Sequence, residues 1–217
     1  FPPDIETAEE AREYLSQLRQ LLLYLGVCDG KLEEGSMRCE PNISVRLDGA
    51  ERYGTKTELK NLNSFRSVHL GVQFETRRQI AVLEHGQQVV QETRGWNDSN
   101  ETSFSMRAKE EENDYRYFPC PDLMPMAFDE EMLARVRSEL PELPLAKLAR
   151  YQSELGLSPY DASLLVADKK WASWFEQAVS LGGDPKGVCN WMNSDFAKML
   201  NDAAIQVDES LVKPSHV

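Results

Sequence analysis

The chain has 217 residues, 41% of them hydrophobic and 28% charged, with a net charge of −12; this suits a soluble globular protein of one large domain or two modest ones. Residues 1–127 hold 15 Lys and Arg against 22 Asp and Glu, and residues 128–217 hold 9 against 14, so neither half is a basic module and general counterion-release binding to nucleic acid is disfavoured. The longest apolar run, Leu21 to Leu25, is far too short to span a membrane.

Phe1-Pro2-Pro3-Asp4 leads directly into an acidic helix and does not read as a signal peptide. Thr7 and Glu10 form a capping box for that helix, which runs to Leu25 with Ala11, Leu15, Leu18, Leu22 and Leu25 on one stripe. Gly26 supplies its C-terminal stop.

From Met37 to Leu47 the chain alternates strictly. Met37, Cys39, Pro41, Ile43, Val45 and Leu47 fall on one side, and Arg38, Glu40, Asn42, Ser44 and Arg46 on the other. A period of two predicts a β-strand with one core face. The opposite face is a row of guanidinium, carboxylate, amide and hydroxyl groups. Pro41 lacks a backbone donor, which places this strand at an edge or a bulge.

A hairpin-like connection from Asp48 to Gly54 leads to a second strand, Thr55 to Leu62, where Lys56, Glu58 and Lys60 alternate with Thr57, Leu59 and Asn61. Paired with the first strand, this row would set alternating charges side by side. Ser64 is the N-cap of a helix from Phe65 to Glu84 with Val68, Val72, Phe74, Ile80 and Leu83 apolar, ended by Gly86. Strands at Val89–Trp96 and Thr102–Arg107 flank the polar turn from Asn97 to Glu101. Lys109 to Glu112 reads as solvated surface, and Asp114 to Phe118 as a further short strand. Pro119, Pro121 and Pro125 mark a domain boundary.

From Asp129 onward the pattern is helical. Starts are signalled at Asp129, Pro144, Ser158-Pro159 and Asp184-Pro185, with stops at Leu140, Gly156 and Gly182-Gly183. Trp171, Trp174, Phe175, Trp191 and Phe196 recur at helical spacing and so read as core. The fold class expected is therefore α+β. An incomplete mixed or antiparallel sheet domain over residues 1–127 is followed by an all-α domain over residues 128–217. Cys28, Cys39, Cys120 and Cys189 are scattered and read as reduced thiols, and the three histidines are isolated, so no zinc site is indicated.

Six runs carry a resemblance to a known family: EEGSMRCEPNISVR, GTKTELKNLNSFR, RRQIAVLEHGQQVVQETRGW, SMRAKEEENDYRYFPCPDLMP, LPELPLAKLARYQSELGLSPYDASLL and DPKGVCNWM. In this order, and collinear over essentially the whole chain, they resemble the B subunit of the aspartyl/glutamyl-tRNA amidotransferase. The resemblance implies that these residues correspond to the middle of that protein, the C-terminal part of its cradle domain plus its helical domain. It also implies ATP and Mg²⁺, an amidase (the A subunit of the complex) that frees ammonia from glutamine, a small C subunit, and misacylated tRNA as partner. The location implied is cytoplasmic, or the matrix of a mitochondrion or chloroplast.

In that chemistry ATP phosphorylates the side-chain carboxylate of a misacylated Glu or Asp, and ammonia displaces the phosphate. The residue types of the first strand suit it. Arg38 can hold a phosphate or carboxylate bidentately. Glu40 can ligate Mg²⁺ directly or through water, or orient ammonia, and Asn42 and Ser44 can supply neutral hydrogen bonds. Glu34, Lys60, Asn61, Arg107 and Arg116 are further candidates for binding substrate or ATP. The family's main Mg²⁺ ligands correspond to none of these 217 residues, so the metal ligands here stay unknown. Lys147, Arg150, Lys169 and Lys170 are the basic residues that could meet tRNA. This chain departs from the family at Glu40-Pro41, where Asp and usually Ala stand. Two other readings stay open on the residues alone, a carboxylate–amine ligase acting on a small molecule and a non-catalytic scaffold or tRNA-binding fragment.

Overall fold

The computed structural model describes residues 4–108 and 121–217. It shows the α+β class expected. The described residues form two compact units, Phe1–Arg19 with Cys28–Arg135, and Gln20–Val27 with Val136–Val217.

Helix α1, Ala8–Leu25, contributes its first turns to one unit and its last turns to the other. Its start is the expected capping box: Thr7 Oγ1 accepts from the Glu10 amide at 3.1 Å, and Glu10 Oε2 accepts from the Thr7 amide at 3.0 Å. The remainder of the first unit is a four-stranded sheet in the order β1-β2-β3-β4, with α2 on one face. The elements are β1 (Asn42–Ile43), β2 (Thr57–Lys60), α2 (Phe65–Glu84), β3 (Glu92–Asn97) and β4 (Thr102–Ala108). β1 and β2 are antiparallel, β2 and β3 parallel with α2 as the crossover, and β3 and β4 an antiparallel hairpin.

The first strand is far shorter than its alternation predicts. Only Asn42 and Ile43 pair in the ladder, and Leu47 is 85% exposed. The period in burial nevertheless holds from Met37 to Ile43: Met37 and Ile43 are buried, Cys39 and Pro41 half-buried, and Arg38, Glu40 and Asn42 exposed. Alternation reports which way side chains point, whereas pairing needs a partner strand. β2 offers only four residues, because Asn61 turns into a left-handed conformation at φ 63°. Pro41 sits beside β1 on the outermost described strand, as its missing donor requires.

Helix α2 begins and ends where expected, with Ser64 Oγ accepting from the Ser67 amide at 3.0 Å. Its buried face is not the expected apolar one. Ser67, Val68, Gly71, Glu75 and Gln79 are buried, while Ile80 and Leu83 are 39% and 45% exposed. The reason lies across the interface, where the sheet presents Thr57, Arg94 and Ser103. Close approach is set at Gly71, where a Cβ would lie 3.0 Å from Leu62 Cδ2 and 3.3 Å from Leu59 Cδ1. The expected strand at 114–118, the charge run at 109–112, Cys120 and Arg116 lie outside the described residues.

Helix α3, Glu130–Glu139, starts with Asp129 Oδ1 accepting from the Met132 amide at 2.8 Å. It crosses the division between the units, which falls after Arg135. The second unit continues with α4 (Pro144–Ser153), α5 (Pro159–Val166), α6 (Lys169–Ser180), α7 (Pro185–Trp191) and α8 (Ala197–Ala203). Ser158, Asp168 and Asp184 each cap the following helix through the side chain. The aromatics are core as expected: Trp174, Phe175 and Phe196 are buried, and the half-buried Trp191 stacks on Phe196 at 4.7 Å.

The segment after Asp184-Pro185 is not one regular helix. A π-helical turn, Met192–Phe196, separates α7 from α8. Val188, Met192, Phe196 and Leu200 are spaced by four, and all four are buried. In a helix of 3.6 residues per turn that spacing drifts by about 40° per step. The wider π turn takes up the drift and keeps the four on one face.

Candidate functional site

Paired residues project from the same side of a sheet. The register Asn42↔Glu58↔Thr93 therefore defines the face turned away from α2. On this face Lys60 Nζ lies 3.0 Å from Glu40 Oε2 and 3.7 Å from Glu58 Oε1. Thr93 Oγ1 donates to Glu58 Oε2 at 3.2 Å. The alternating charges expected of the two strands are thus in place, as a lysine held between two carboxylates. Asn42 Nδ2 reaches the Glu40 carbonyl at 3.4 Å. Arg38 is exposed and has no ion-pair partner among the described residues.

The other candidates are placed as follows. Ser44 is half-buried beside β1, and Asn61 is exposed just past β2. Glu34 is engaged within its own loop, where Lys31 Nζ meets Glu34 Oε1 at 2.6 Å. Arg107 lies in β4 opposite Thr93. The structure therefore brings together Glu40, Asn42 and Lys60, and adds Glu58 and Thr93. The alternation of Lys56, Glu58 and Lys60 already put Glu58 in this row; Thr93 required the parallel register.

The α2 face of the same sheet carries a second polar assembly that the sequence reading missed. Glu75 and Gln79 are fully buried. Glu75 accepts from Thr57 Oγ1 at 2.7 Å, from Arg78 Nε and Nη2 at 2.8 and 2.7 Å, and from Gln79 Nε2 at 3.0 Å. Arg94 Nε lies 3.5 Å from Glu75 Oε2 and donates to Ser103 Oγ at 2.8 Å. Burial alone would raise the Glu75 carboxyl, but hydrogen bonds from Arg78, Gln79 and Thr57 outweigh it and hold the group below its ordinary range. Glu92 is held low in the same way, burial being outweighed by Ser105 and Arg94. The available signal was the spacing of Val68, Gly71, Glu75 and Gln79, a helical stripe that runs through two polar residues.

In the second unit, all four basic residues set out for tRNA contact have partners within the unit. Lys147 meets Glu176 at 2.6 Å and Glu142 at 3.2 Å, and Arg150 meets Glu142 at 2.7 Å and also Glu176. Hydrogen bonding from Arg150, with Lys147 adding to it, pulls the Glu142 carboxyl down to about 2. Lys169 and Lys170 line a cleft of about 400 Å³ with Trp174, Gln177, Asp208 and Lys213. Lys169 donates to the Tyr24 carbonyl at 2.6 Å, and Lys170 pairs with Asp208 at 2.6 Å.

No group of three His, Cys, Asp or Glu converges among the described residues. Glu40 and Glu58 both face the Lys60 ammonium, which would compete with a divalent cation. These residues do not by themselves build a Mg²⁺ site; they suit contacts to an anion and to polar substrate groups.

Residues 1–134 match a family described as the GatB/GatE catalytic domain. The chain belongs to that family. It is 46% identical to the B subunit of the aspartyl/glutamyl-tRNA(Asn/Gln) amidotransferase of Thermodesulfovibrio yellowstonii over 212 residues, 98% of this chain and 45% of that protein. The same subunit of Ectopseudomonas mendocina is 46% identical over 215 residues, covering 99% of this chain and 45% of that protein. That of Crocosphaera subtropica is 48% identical over 212 residues, covering 98% of this chain and 43% of that protein. The chain thus spans a little under half the length of these relatives. The match to the catalytic-domain family covers all of the sheet and α2, so the polar faces just described belong to GatB/GatE catalytic-domain sequence. No helix among the described residues is long and apolar enough to cross a membrane.

Proposed function

We propose that this chain is part of the B subunit of an ATP-dependent aspartyl/glutamyl-tRNA amidotransferase, and that the outer face of its sheet is one wall of the amidation site. The names of its relatives support the subunit role. The observation that carries the site is the Glu40–Lys60–Glu58 arrangement on the outer face of the sheet.

A carboxylate is a poor electrophile. Its oxygen attacks the terminal phosphorus of ATP, ADP leaves, and the acyl phosphate so formed carries a good leaving group. Ammonia then attacks the acyl carbon, phosphate departs with the former carboxylate oxygen, and the nitrogen loses a proton. Such steps depend on positioning and charge neutralisation. Arg38 holds the phosphate or carboxylate oxygens, and Lys60 adds a fixed positive charge. Glu40 orients ammonia and takes its proton. Asn42 and Ser44 hydrogen-bond the acyl group. Asn61, Arg107 and Arg116 are secondary contacts to substrate or ATP, and Glu34, already paired with Lys31, is the weakest of the set. Mg²⁺ accompanies ATP. Ammonia comes from the amidase of the complex, its A subunit, and a small C subunit joins the two. The misacylated tRNA presents the carboxylate. The setting is a cytoplasm or an organellar matrix.

The test is amide formation from Glu-tRNA(Gln) or Asp-tRNA(Asn) with ATP and glutamine, in the assembled complex carrying Arg38→Ala or Glu40→Gln. A loss of kcat of about 100-fold with complex assembly intact is expected. Wild-type turnover in both variants would instead favour a scaffold role.

A further inference from the structure

β1 carries Asn42 and is flanked by Glu40 and Ser44, yet it is a weak strand. It pairs through two residues only, Asn42↔Glu58 and Ile43↔Thr57, with one further bond from the Leu59 amide to the Pro41 carbonyl at 2.9 Å. Catalysis is sensitive to displacements of about 1 Å, and two rungs at the outermost described strand restrain a backbone poorly. The Ile43 carbonyl, between Asn42 and Ser44, is held from elsewhere. Gln79 Nε2, on α2, donates to it at 3.0 Å.

The orientation of that amide is determined by its surroundings. Nε2 faces three oxygens: the Ile43 carbonyl, Thr57 Oγ1 at 2.8 Å and Glu75 Oε1 at 3.0 Å. A reversed amide would set its own oxygen against a carbonyl and a carboxylate. Thr57 Oγ1 in turn donates to Glu75 Oε1 at 2.7 Å, and Arg78 grips the same carboxylate with two bonds. Thr57 is the β-ladder partner of Ile43. The helix, the second strand and the site strand therefore meet at one buried amide.

We infer that Gln79, oriented by Thr57 and Glu75, is the positioning residue that fixes the site strand for amidation. This rests on the function proposed above. Gln79 touches no reactant; it acts through the Ile43 carbonyl on the side chains that flank it. Because the network lies on the α2 side of the sheet, it can hold the strand in place from the face opposite Asn42 and Glu58.

The experiment uses the full-length protein in its assembled complex. Gln79→Met keeps the volume and removes the donor. Thr57→Val removes the hydroxyl that orients Gln79, and Thr57→Ser restores it. Gln79→Met and Thr57→Val are expected to lower kcat by about 10- to 100-fold, with KM for aminoacyl-tRNA changed by less than about twofold. Thr57→Ser should stay near wild type. Amide hydrogen exchange across residues 42–45 should accelerate in the two impaired variants while that of α2 is unchanged. Asn42→Ala should cost less in the Gln79→Met background than in wild type, since a displaced side chain has less to lose. Should Gln79→Met fail to assemble, the Val and Ser variants at Thr57 decide the matter alone. Wild-type kcat in Gln79→Met and Thr57→Val, beside an impaired Asn42→Ala, would overturn the positioning role and leave the site reading standing. Wild-type kcat in Arg38→Ala and Asn42→Ala would overturn both.

Discussion

The interiors of the two units are held together by different physics. In the second, Tyr151, Leu165, Phe175, Met192 and Phe196 form an apolar and aromatic cluster with Tyr24. In the first, the helix meets the sheet through Leu59, Val68 and Trp96, but also through a buried carboxylate, a buried amide and two arginines. Apolar contact is non-directional and tolerates exchange of like for like. A buried hydrogen-bonded network is directional, and loss of one member strands the others. The first unit is thus the one whose internal geometry is most tightly specified, and it is the one that carries the candidate site.

The largest expected effect breaks that contrast at its centre. Glu75→Met is close to conservative in volume, yet it leaves Arg78 and Arg94 without their buried partner and should cost about 3–5 kcal/mol in chemical unfolding. The apolar counterpart, Met192→Leu in the second unit, should cost less than about 1.5 kcal/mol by the same measurement. Equal costs would show that the two cores do not differ in kind.

A third test uses pH in the second unit. The Glu142 carboxyl is held at about 2, below its ordinary value of 4.5, first by Arg150. A depressed folded-state value stabilises above the unfolded value, and that contribution fades as pH falls from about 4.5 towards 2. The difference in Tm between wild type and Glu142→Gln should therefore be largest above pH 5 and shrink across that window. A constant difference would mean that the ion-pair group of Glu142, Lys147, Arg150 and Glu176 adds no charge-dependent stability. The smallest effect separates the two faces of the sheet. Lys60→Met, on the outer face, should change stability by less than about 1 kcal/mol, because its ion pairs are partly solvated. Amide formation should nevertheless fall.

Local signals were legible wherever a single segment contains the whole cause. Thr7 with Glu10, Ser64, Ser158 and Asp184 each cap a helix using atoms within a few residues, so each start could be read from the chain alone. The outward row of Arg38, Glu40 and Asn42 was legible for the same reason, since alternation is a property of one strand. The length of β1 was not, because a ladder depends on where the partner strand runs, and only Asn42 and Ile43 pair with β2, opposite Glu58 and Thr57. Nor was the buried role of Glu75 and Gln79, because Glu and Gln on a helix are ordinarily exposed. Nor was the π turn at Met192–Phe196, because the chain after Asp184-Pro185 carries the pattern of ordinary helix.

By itself, then, the sequence determined the α+β class, the helix starts at Thr7, Ser64, Ser158 and Asp184 and the family likeness, since these follow from local propensity and pattern. The tertiary structure alone decided which strand lies beside which, that Lys60 stands between Glu40 and Glu58, and that the site strand is tied to α2 through Gln79. Those facts depend on residues 18 to 36 positions apart meeting, on the outer face for Lys60 and Glu40 and in the interior for Thr57, Glu75 and Gln79, and in the interior the energy of a polar group is set by its partners and not by its neighbours in the chain.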